Sequence, residues 1–103
     1  MLVIVWEFRV RPERLSDFLS ANAPGGDWDR LFRRGEGYIS NELLRDERDE
    51  TRFLTIDRWD SREVRDRFRL RFREEYEALD RRCEDFTLEE TPIGDFSLPG
   101  SAR

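Results

Sequence analysis

Asp57 stands inside an apolar, β-branched run, Thr51-Arg52-Phe53-Leu54-Thr55-Ile56-Asp57-Arg58-Trp59. Desolvation there would raise its pKa and make the carboxylate a general base near neutral pH. The same position also suits an ion pair with Arg on a solvent-facing strand, and both readings stay open. Asn41, a neutral polar residue within a second such run, could orient a phenol or peroxide oxygen or simply line the wet side of a strand. Asp57 and Asn41 are the catalytic candidates. Tyr38 and Tyr76 could donate a hydroxyl to a substrate oxygen, and Trp6, Trp28, Phe32 and Trp59 could stack on a planar ligand. At strand and helix spacing those aromatics serve equally well as core, and Trp59 could anchor a loop through its indole N–H.

What is missing narrows the chemistry further. The chain has no His, Lys or Gln, and all 19 basic residues are Arg. There is no imidazole base, haem ligand or metal ligand, and no Lys for a Schiff base or a P-loop. No glycine-rich nucleotide motif, nucleophile elbow or Cys/His metal pattern occurs, so no metal and no cofactor is expected. Cys83 is the single cysteine, which excludes an intrachain disulfide and agrees with a reducing cytoplasm.

With 103 residues and a formal net charge of −5, one domain of mildly acidic character is expected. Such a balance does not suit a nucleic-acid surface. The opening Met1-Leu2-Val3-Ile4-Val5-Trp6-Glu7 lacks a basic start and meets a charge at residue 7, so neither a signal peptide nor a membrane span is expected.

These residues need elements to position them. Residues 2–10 alternate as a strand, with Leu2, Ile4, Trp6, Phe8 and Val10 on one face. Pro12 and Glu13 suit a first helical turn, and Leu15, Phe18 and Leu19 give the stripe of that helix. Pro24-Gly25-Gly26 stops it. Asp27 is placed to cap a short helix carrying Trp28, Leu31 and Phe32, which ends near Gly35. Residues 37–45 and 51–59 read as a hairpin around a charged turn at 46–50.

Residues 65–73 alternate Arg with Asp66, Arg-flanked Phe68, Leu70 and Phe72, which is strand-like in isolation. Val64, Phe68, Phe72, Tyr76, Leu79 and Cys83 nevertheless recur at helical spacing, which predicts one helix over 61–83. Asp60 and Glu63 resemble a capping box, and Glu63–Arg67 and Glu77–Arg81 are suited to pair. The Arg series reads as the solvated coat of that helix. Residues 84–96 hold a last strand, interrupted at Pro92. The domain is expected over 1–96, with 97–103 a flexible tail. The order β-α-(α)-β-β-α-β predicts an α+β, ferredoxin-like βαββαβ antiparallel sheet with helices on one face. Its open face would suit a second copy.

In that order the segments Val5-Trp6-Glu7-Phe8-Arg9-Val10-Arg11-Pro12, Gly37 to Asp46, and Phe53 to Glu63 (FLTIDRWDSRE) resemble those of antibiotic biosynthesis monooxygenase-like proteins. The resemblance covers roughly residues 2–96. It implies a dimeric α+β barrel with a ligand pocket between sheet and helices. Some such proteins are cofactor-independent monooxygenases of aromatic polyketide phenols or anthrones; others degrade haem. The haem degraders carry a ligating His and a first-strand Asn. Here there is no His and the strand position is Phe8, so haem degradation of that kind is not expected. The resemblance implies a homodimeric monooxygenase of an aromatic, polyketide-like small molecule. The alternative is a non-catalytic dimer that binds a small molecule or assists a pathway.

Overall fold

The structure, a computed structural model, describes residues 1–100. Four strands, β1 (Leu2–Val10), β2 (Tyr38–Asp46), β3 (Asp49–Trp59) and β4 (Thr87–Ser97), form one antiparallel sheet in the order β2-β3-β1-β4. Four helices, α1 (Leu15–Asn22), α2 (Asp27–Phe32), α3 (Arg62–Arg71) and α4 (Arg73–Cys83), cover one face. This is the ferredoxin-like α+β architecture. The end of the expected tail, residues 101–103, lies outside the described residues; Ser97 belongs to β4.

Alternation along β1 sets the two faces of the sheet. Ile4, Trp6 and Phe8 lie opposite Asp57, Thr55 and Phe53 of β3, all toward the helices. Val10, Phe18, Phe53 and Trp59 are almost completely buried there. Trp59 sits among the rings of Phe32, Tyr38 and Phe68, with centroids 5.0 to 5.7 Å away. Gly35 and Gly37 let the chain pass close to this cluster: a Cβ on Gly35 would lie 2.7 Å from the Phe68 ring. Gly37 has φ +82° and faces Val64, a conformation that favours glycine.

Several local expectations are corrected. Ser61, not Asp60, caps α3, its hydroxyl accepting from the Val64 amide at 3.3 Å. The Asp60 amide instead donates to the Gly37 carbonyl at 2.7 Å. Gly26 is the N-cap of α2, while the Asp27 carboxylate takes Arg30 and, at 3.0 Å, Arg82. Neither Glu63–Arg67 nor Glu77–Arg81 is among the ion pairs of the described residues.

The helix expected over 61–83 bends at Phe72, which leaves helical geometry (φ −108°, ψ 30°) and separates α3 from α4. The hydrophobic spacing explains the bend. Successive steps of four residues advance the stripe by about 40° each. Val64, Phe68, Phe72 and Tyr76 would thus wind away from the sheet on a straight helix. Turning at Phe72 returns Leu79 and Cys83 to the core.

The last strand is not interrupted at Pro92. It runs through that residue on an edge strand, where proline is tolerated. The register does shift, with Gly94 opposite Val5 and Pro92 opposite Trp6; Ile93 is the extra residue of a bulge.

Candidate functional site

Between the sheet and α1 to α4 lies a cavity of about 320 Å³, at the small end of ligand sites. Its floor is Ile4, Trp6 and Phe8 of β1 with Thr55, Asp57 and Trp59 of β3; its roof includes Phe18, Trp28, Phe32 and Tyr76. The structure brings Asp57, Asn41, Trp6, Trp28, Phe32, Trp59 and Tyr76 to this one space. Trp28 meets Tyr76 edge-on, centroids 4.9 Å apart, and Trp6 lies nearly parallel to Phe8.

Asp57 reaches the cavity because β3 alternates: Phe53, Thr55, Asp57 and Trp59 all point to the helices. No hydrogen bond or ion pair meets its carboxyl oxygens among the described residues. Burial raises its pKa to about 7; Arg65 opposes the rise and the charge of Asp29 adds to it. A carboxyl poised near neutrality can accept a proton from a bound hydroxyl and return it. The solvent-facing ion pair is not formed. Its neighbour Arg58, on the opposite face, pairs with Glu42 instead.

Asn41 lies opposite Asp57 on β2 and is buried. Its amide N–H donates to the Asn22 carbonyl at the end of α1, 3.2 Å away. That bond fixes the side chain at the cavity wall and ties β2 to α1.

Tyr38 is the one candidate absent from the cavity wall. Its hydroxyl donates to Asp29 at 2.6 Å, and burial and that carboxylate push its pKa well above the ordinary phenol value. The expected substrate contact is thereby replaced by a structural one. Asp29 is 1% exposed and also accepts from the Gly25 amide at 2.7 Å and Arg33 at 3.1 Å. Burial alone would raise its carboxyl, but these hydrogen bonds outweigh it and hold the pKa below the usual range. Trp59 is 1% exposed within the aromatic cluster, so its place is in the core packing.

Sequence reasoning passed over Arg65 and Arg69. Both line the cavity, half-buried, one helical turn apart on α3. The guanidinium of Arg69 lies 3.8 Å from the Tyr76 ring centroid. Burial pulls the Arg65 pKa down. The Arg series is therefore only partly a solvated coat. The position four residues after Arg65, on the Val64–Phe68 side of α3, was the available signal. Cys83 also reaches the wall; burial raises its thiol pKa and keeps it unreactive. Among the described residues no cluster of His, Cys, Asp or Glu could hold a metal ion, and no helix is long and apolar enough to cross a membrane.

The fold recurs in solved structures. A proposed antibiotic biosynthesis monooxygenase from Nitrosomonas europaea matches with TM-score 0.74 and 17% identity, over 96% of this chain and 99% of that one. SnoaB, a cofactor-independent oxygenase from Streptomyces nogalater, matches with TM-score 0.72 and 15% identity, over 98% and 95%. A proposed antibiotic biosynthesis monooxygenase from Deinococcus radiodurans gives TM-score 0.76 at 8% identity, over 100% and 97%. No curated protein matches the chain in sequence. The family model for antibiotic biosynthesis monooxygenase matches residues 1–71, from β1 to the end of α3, and so takes in Asp57, Asn41, Trp59 and both cavity arginines; the chain belongs to the antibiotic biosynthesis monooxygenase family.

Proposed function

We propose that the protein is a cofactor-independent monooxygenase of an aromatic, polyketide-like small molecule. The observation that carries this reading is Asp57, an unpartnered carboxyl with a pKa of about 7 in an aromatic-lined cavity. In an anthrone or hydroxynaphthalene bound there, Asp57 takes the acidic proton and leaves a delocalised anion. The anion transfers one electron to O₂, and the radical pair joins as a carbon-bound peroxide anion, which takes the proton back from Asp57 to become a hydroperoxide. Asp57 then removes the second ring C–H proton as the O–O bond breaks, and the departing hydroxide takes up that proton. For an anthrone, the ring CH₂ becomes C=O and the second oxygen leaves as water, so the substrate supplies every electron and no external reductant enters. The remaining amide N–H of Asn41 is a donor for the developing oxyanion. The likeness to SnoaB supports the fold of this reading; the acid supplies its chemistry.

The same reading includes a homodimer. The sheet face away from the helices carries Val3, Val5, Leu54 and Ile56, with Leu44 45% and Phe96 50% exposed. A second copy would cover them, and sedimentation should give twice 12.5 kDa; a monomer at micromolar concentration refutes this part. For the activity, the purified protein is offered hydroxylated anthrones and naphthols while O₂ uptake is followed. Uptake above the protein-free rate is expected, reduced by Asp57→Asn and Asn41→Ala. No uptake across the panel would favour a non-catalytic binding dimer.

A further inference from the structure

Arg65 and Arg69 differ from their neighbours on α3. Arg62 is neutralised by Asp95 and Asp66, and Arg67 and Arg71 lie at a separate cleft beside Phe72. Arg65 and Arg69 line the main cavity, yet the guanidinium of neither makes an ion pair or hydrogen bond among the described residues. A half-buried guanidinium without a counter-ion is costly. Its five N–H donors stay charged at any working pH.

The acids nearby do not meet that need. Asp80 and Glu90 are exposed at the cavity rim, and Glu90 accepts from the Thr87 hydroxyl. Arg65 acts on Asp57, and Asp66 on Arg65, through space without an ion pair in either case. Arg69 is steadied against the face of Tyr76, which leaves its N–H edge available.

We infer that the substrate is an aromatic acid whose carboxylate is held by Arg65, with Arg69 as second donor, beside a ring hydroxyl that faces Asp57. This rests on the cavity being the substrate site proposed above. A permanent anion, unlike one that forms only during reaction, pairs with the guanidinium fork from the moment of binding. Because Asp57 and Arg65 line one small cavity, the hydroxyl and carboxylate belong on one fused ring system.

The probes are 3-hydroxy-2-naphthoate, its methyl ester and 2-naphthol, titrated into the protein at pH 7.5 by tryptophan fluorescence. The acid should bind roughly tenfold or more tighter than the ester. Arg65→Met should bring the acid to the ester's affinity and leave the ester unchanged, which also shows that the variant is folded. Arg67→Gln, outside the cavity, should keep the preference. Ester binding as tight as the acid overturns the inference while the cavity reading stands. A preference that survives Arg65→Met together with Arg69→Met, or that is lost equally in Arg67→Gln, overturns it too. If none of the three probes binds, the cavity reading fails and the inference with it. Should Arg65→Met not fold, the acid-to-ester ratio of the unmodified protein decides.

Discussion

Asp29 on α2 and Asp57 on β3 are two acids at the helix-to-sheet layer with opposite surroundings. Asp29 accepts hydrogen bonds from Tyr38, the Gly25 amide and Arg33, and its pKa is lowered. Asp57 accepts none among the described residues and its pKa is raised to about 7. Burial alone pushes both upward. The donors decide the outcome, so the same residue type is a fixed structural anion in one place and a proton carrier in the other.

The largest effect expected is at Asp29. Asp29→Ala removes the acceptor of a phenol, a loop amide and a solvent-exposed guanidinium, and should cost about 2–3 kcal/mol of unfolding free energy in urea. A loss under ~1 kcal/mol would mean those donors find water instead and would break the contrast. Asp57→Asn should lower kcat for O₂ uptake by about 100-fold, with the fold intact. Wild-type activity should rise with pH through about 7, as the base ionises, and the variant should lose that dependence.

Stability separates the two acids as well. A raised folded-state pKa means that Asp57 contributes a penalty that grows as pH climbs from the ordinary carboxylate range through about 7. Asp57→Asn should therefore stabilise the protein at pH 9 and only by little at pH 5. Asp29 does the reverse: its stabilisation is full above the ordinary carboxylate pKa and is lost as pH falls through its lowered value. Thermal melts from pH 2 to 9 read both.

Smaller changes sharpen the comparison. Tyr38→Phe removes one donor from Asp29 and should cost about 1–2 kcal/mol, without moving the pH profile of activity; a moved profile would mean that the two acids are strongly coupled. Ser61→Ala removes the cap of α3 and should cost about 1 kcal/mol, a reference value for losing one hydrogen bond far from either acid.

Much of this was legible in the residues. Alternation along β1 and the Thr51–Trp59 run showed the strands, and the element order showed the sheet. Asp57 stood out because a charge inside a β-branched run is rare and must be resolved somehow. Asp29 did not, because in Asp27-Trp28-Asp29-Arg30 it looks like ordinary helix-start acidity; its donors come from Tyr38 and a loop amide that only the fold brings near. Arg65 and Arg69 were hidden by their setting. Alternating Arg along 65–73 points every way around a cylinder, and local sequence cannot say which two find the gap between helix and sheet. The bend at Phe72 was implicit in the run of four-residue steps, but where a helix turns depends on the core it must follow.

The sheet order also bears on how the protein is made. β1 is the earliest strand to be synthesised, yet it lies between β3 and β4, and Val3 waits for Phe96 as its ladder partner. Pairing across such a sequence separation is slow. Until β4 is complete, one edge of the apolar β1 stays open to any other nascent strand. On a ribosome the β1–β3 half-sheet can close first, and the β4 edge closes last.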